Sequence, residues 1–131
     1  MIRIALALLL CTASLAQARP VEQRIEFLLA APQRVLAFAD ALGLDNEVQR
    51  QLQAGINPTR ATVLQLQSEA LLALEEVEAA LDAEAIDAER ALQLLDCVTA
   101  LEARIKHLQM ALWLRSNSLL TRAQRIRARR Q

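Results

Sequence analysis

The chain has 131 residues, 54% of them hydrophobic but only 2% aromatic, with two Gly, three Pro and no Tyr. Ala, Leu, Gln, Glu and Arg dominate, which are strong helix formers, and the β-branched and aromatic content that strands favour is low. The composition therefore predicts one all-α domain and excludes a β fold. Net charge is zero, yet the charges are segregated along the chain. Glu69 to Glu102 holds ten acids and one base (Arg90), whereas Arg104 to the C-terminus holds eight bases and no acid. Two readings follow: antiparallel helices that pair these charges along their flanks, or a basic surface that attracts acidic partners.

Met1 to Ala18 reads as a secretory signal peptide. Arg3 supplies the positive start, Ile4 to Leu10 the apolar core, and Ala16-Gln17-Ala18 the small-x-small cleavage signal before Arg19-Pro20. The apolar run is too short for a permanent membrane span. Leu9-Leu10 before Cys11 do not suit a lipoprotein anchor. The expected organisation is thus a signal peptide over 1–18 and a single helical domain over 19–131, placed in the periplasm, where nucleic acid is not an expected partner. Cleavage leaves Cys97 unpaired. It is expected either as a small buried hydrophobe or as a disulfide across two crossing copies.

Arg19 to Ala31 forms a short amphipathic segment, with Val21, Ile25, Leu28 and Leu29 at helical spacing. Pro32 opens a second helix, since the first turn does not need its missing N–H, and Gln33 to Leu42 continues it. Gly43 fits the left-handed position after a helix, and Asp45 the next N-cap. A long helix then runs from Asn46 to about Leu81. Gly55-Ile56-Asn57-Pro58 predicts a kink or one-turn break in it, with Asn57 capping a restarted helix at Pro58. Beyond that point Val63, Leu66, Ala70, Ala73, Leu74, Val77 and Leu81 form an apolar stripe.

The partner of that stripe lies in Asp87 to Leu119. Leu94, Val98, Leu101, Ile105, Leu108 and Leu112 alternate steps of four and three, and the pattern returns at Leu119. Such spacing is the seam of a helix packed lengthwise against another. Arg115 stands where one more apolar residue is due. The short Asp82 to Ile86 link makes the two long helices antiparallel neighbours, with Asp87 as N-cap. Thr121 and Gln124 form a capping box for a last helix, Arg122 to about Arg130.

Two of these stretches carry a family resemblance. Leu42-Gly43-Leu44-Asp45-Asn46-Glu47 resembles the first motif of the Spy/CpxP-like periplasmic proteins. Leu120-Thr121-Arg122-Ala123-Gln124 fits that family's Leu-Thr-x-x-Gln motif in full. The first copy departs from it: Asp45 stands for Thr, and Val48 stands where Gln is expected, although Gln49 follows. The resemblance covers roughly Pro32 to Arg130. It implies a bent antiparallel helical hairpin of about four helices, paired as a cradle-shaped antiparallel homodimer. It also implies one of three roles: an ATP-independent chaperone for unfolded periplasmic proteins, an adaptor that restrains a sensor kinase, or a heavy-metal resistance sensor that binds Zn, Ni or Co.

No catalytic constellation is present, so no enzyme is expected. The single His, His107, shares a helix face with Met110, and these are the weak metal candidates. Cys97 lies ten residues from His107, about 15 Å along a straight helix, which keeps both out of one mononuclear site in a single chain. With no second His, the primary expectation is no metal and no cofactor. Met110, Trp113 and Leu114 lie off the seam, with Lys106, Arg115, Arg122 and Arg125 near them in sequence. A thioether, an indole and cations suit loose capture of unfolded chains, and the same stripe serves equally as a dimer interface. The expected function is a chaperone or stress adaptor; the alternative is a periplasmic metal sensor.

Overall fold

The computed structural model describes residues 21–131, so the signal segment with Cys11 and its cleavage signal lies outside the described residues. Every regular element among the described residues is an α-helix: α1 (Val21–Leu28), α2 (Pro32–Ala37), α3 (Asn46–Leu81), α4 (Ala88–Ser118) and α5 (Arg122–Arg129). The fold is all-α and built on one antiparallel hairpin, α3 against α4, with the short helices gathered at its open end.

Local chemistry sets the helix ends. Pro32 occupies the first turn of α2. Gly43 takes φ 71°, the left-handed conformation that reverses the chain cheaply only without a Cβ. The Asp45 carboxylate accepts the Val48 N–H at 2.9 Å and starts α3; Asp87 accepts the Arg90 N–H at 3.2 Å and starts α4. Each such cap is worth about 1 kcal/mol. Helix α2 is shorter than expected. It stops at Ala37, and single turns carry the chain on to Gly43.

The predicted seam forms the core. Val77 packs with Leu94 and Val98 near the tip, and Val63 and Leu66 pack with Ile105, Leu101 and Leu108 midway. At the base, Val35, Leu42, Leu44, Leu52, Leu120 and Ala128 join α2, α3 and α5 in one cluster. Leu42 and Leu52 are each 1% exposed, and burying such a side chain contributes about 1.5–3 kcal/mol.

Four expectations are corrected. First, α3 does not restart at Pro58: the helix is continuous from Asn46, with Pro58 inside it and Asn57 an ordinary helical residue. Second, the end of the predicted partner stripe is only partly buried: Val77 and Ala73 pack on the seam of α4, while Leu74 is 39% and Leu81 51% exposed. Third, Cys97 is exposed, because it lies one step off the seam beside Val98. Fourth, acids face acids across the two arms toward the tip, where opposite charges were expected to pair. The core register sets Glu69 level with Glu102 and Glu75 level with Asp96. Both arms of the tip are therefore acidic, and the basic residues collect at the base.

Candidate partner-binding surfaces

The two motifs meet in space and clasp the base of the hairpin. Gln124 completes the capping box: its Oε1 accepts the Thr121 N–H at 2.9 Å, and its own N–H donates to Thr121 Oγ1 at 3.2 Å. Its Nε2 then donates to the Leu42 carbonyl at 3.2 Å. Arg127 donates to the neighbouring Ala41 carbonyl. Leu44 and Leu120 are buried in the same cluster. On the first motif Gln49 Nε2 donates to the Leu44 carbonyl at 3.0 Å. Leu44, Asp45, Leu120, Thr121 and Gln124 are thus parts of a joint. The side chains of Asp45, Thr121 and Gln124 bond to backbone groups, and the Leu44 and Leu120 carbonyls accept from the side chains of Gln49 and Arg125.

A second joint was not foreseen. Asn117 is buried, and its amide pairs with the backbone of Ala30. Oδ1 accepts the Ala30 N–H at 2.9 Å and Nδ2 donates to the Ala30 carbonyl at 2.9 Å. The same Nδ2 also donates to the Trp113 carbonyl at 2.7 Å. The side chain stands in for a peptide group and ties the α1–α2 link to α4. The signal in the sequence was the place of Arg115: after Leu112 the apolar period fails, and Ser116 and Asn117 turn inward instead.

The expected cationic and apolar patch is divided by the fold. Trp113 is half-buried and faces α1 and α2, lining one concavity with Phe27, Ala30 and Ile126 and a second with Glu26, Gln33 and Leu64. Arg115 and His107 line a different concavity with Gln51 and Thr59. Met110 is half-buried, while Leu114, Lys106 and Arg122 are exposed. Arg125 is half-buried, with Nη1 donating to the Leu120 carbonyl at 3.1 Å. Trp113 and Arg115 therefore do not act on one surface.

A separate apolar surface lies on the hairpin flank. Leu64 and Leu71 are 58% and 63% exposed, seven residues apart on one face of α3. Leu71 and Leu74 share a groove of about 390 Å³ with Val98, Glu102 and Ile105. Leu95, one heptad before Glu102, is 43% exposed on the same flank of α4. Leu72, Leu81, Ile86 and Leu92 add further exposed apolar area around the tip. Leu72, Ile86 and Leu92 are apolar outside the predicted stripes, and Leu81 belongs to the end of a stripe that α4 covers only in part. Among the described residues no three of His, Cys, Asp and Glu converge in a metal-binding group, and no helix is long and apolar enough to cross a membrane. Compared with protein families, curated proteins and solved structures, the chain gave no match.

Proposed function

We propose that the chain is a non-catalytic envelope chaperone or stress adaptor that holds unfolded protein segments, or a sensor kinase, along the flank of its hairpin. In this reading it works in the periplasm as an antiparallel homodimer of the Spy/CpxP-like type. The observation that supports it most is the run of large apolar side chains at solvent, Leu64, Leu71, Leu74 and Leu95, set among acids. A two-helix hairpin has one buried seam, so apolar residues beside that seam stay available. Surfaces of this kind mark interaction sites, and acids around them keep the free protein soluble. Loose apolar contact suits many client sequences, while charge governs the rate of encounter.

The test is aggregation of a chemically unfolded client, followed by light scattering, with chain starting at Arg19 and no nucleotide. Suppression near equimolar ratio is expected, and Leu71→Glu with Leu95→Glu is expected to abolish it while circular dichroism stays helical. Full suppression by that double variant, or none by the parent, ends the proposal. Intact mass of the periplasmic fraction tests the address, with cleavage after Ala18 as the expected result.

A further inference from the structure

Arg34, Arg129 and Arg130 line one concavity of about 490 Å³ at the base of the molecule, together with Phe27, Trp113 and Ile126. They reach it from two elements far apart in sequence: α2 and the end of α5, where Arg129 is the last helical residue and Arg130 the C-cap. Among the described residues Glu26 is the one acid in that lining. Among the described residues none of the three guanidinium groups is ion-paired. Arg129 is held in place by Nη1, which donates to the Phe27 carbonyl at 3.3 Å. Its Nε is buried with no hydrogen-bond partner among the described residues. A buried donor left without an acceptor is costly, and such groups are rare in native structures. Three cations against one acid among the described lining residues, beside an indole and a phenyl ring, leave an excess of positive charge in the concavity.

We propose that this concavity is a binding site for an amphiphilic carboxylate: an anionic head met by Arg34, Arg129 and Arg130, on an apolar body packed against Phe27, Trp113 and Ile126. Guanidinium groups match a carboxylate in geometry as well as charge, which sets this head apart from a neutral hydroxyl or amide. The volume falls in the range of small-molecule sites, and the mixture of apolar walls with a few polar groups is their usual composition. Two sources share this chemistry, a fatty carboxylate and the apolar C-terminus of a peptide. The site uses none of Leu71, Leu74 and Leu95 on the hairpin flank, so it does not depend on the chaperone proposal.

Trp113 is the chain's single tryptophan and lines the site, so its emission reports occupancy. Decanoate, below its micelle concentration, is titrated beside decanol, acetate, N-acetyl-Leu-Phe and the amide of that dipeptide. Decanoate or the free-acid dipeptide is expected to shift the emission and to bind at least about tenfold tighter than its neutral counterpart. The tighter of the two acids identifies the source. Arg34→Gln with Arg130→Gln, both at exposed positions, is expected to weaken binding by about tenfold or more with the helical signal unchanged. Equal binding of acid and neutral forms, acetate as tight as decanoate, or no emission change with either acid overturns the site. The comparison of head groups on the parent protein decides the matter even where the double variant fails to fold.

Discussion

Single polar side chains hold this molecule's base together. Asn117 satisfies both backbone groups of Ala30 from a helix far away in sequence, and Gln124 serves its own helix and the Leu42 carbonyl at once. Removing such a side chain leaves buried partners unmet, which is worse than losing a contact. Asn117→Ala is expected to lower unfolding stability by about 2–4 kcal/mol, measured by urea denaturation. Asn117→Asp is expected to be similarly harmful, since a carboxylate cannot donate to the Ala30 carbonyl. A loss under about 0.5 kcal/mol for the alanine variant sinks this account of the joint. Gln124's part in the capping box was legible beforehand, but its reach to Leu42 and the Asn117 pairing were not. A lone Asn near a helix end has many uses, and only the approach of Ala30 selects one.

At the scale of helices, periodicity and caps carried most of the information. The seam, the Pro32 start, the Gly43 turn and the Asp45, Asp87 and Thr121 caps all stand where the residues place them, because each depends on a few neighbours in sequence. Gly55-Ile56-Asn57-Pro58 is the exception. Its residues disfavour helix, yet α3 passes through, since Ile56 is buried and the turns on either side are packed. Here packing outweighs local preference. A Cβ built on Gly55 meets Leu112 Cδ1 at 3.5 Å, an ordinary contact. Gly55→Ala is therefore expected to stabilise the protein by about 0.5–1 kcal/mol, read as a rise in thermal midpoint. A destabilisation instead means that the glycine is needed for close approach of α4.

For the whole molecule, charge is the organising asymmetry: an acidic tip and a basic base on one rod. A second copy laid antiparallel on the first sets each tip against the other's base. The proposed homodimer is accordingly expected to weaken by about tenfold between low and high salt, as measured by sedimentation equilibrium, because screening removes that attraction. Association that strengthens with salt instead points to a purely apolar contact and against this arrangement.

The all-α class, the antiparallel hairpin and its seam follow from the sequence alone. Helix period, caps and turn residues act over a few positions, and a heptad stripe admits few ways to be buried. Tertiary structure alone decided which apolar residues stayed at solvent, that the two motifs form one clasp, and that Trp113 faces three arginines while Arg115 does not. Those facts depend on the rotation of each helix about its axis and on where the chain returns. Both are fixed by packing between residues far apart in sequence, which no local pattern records.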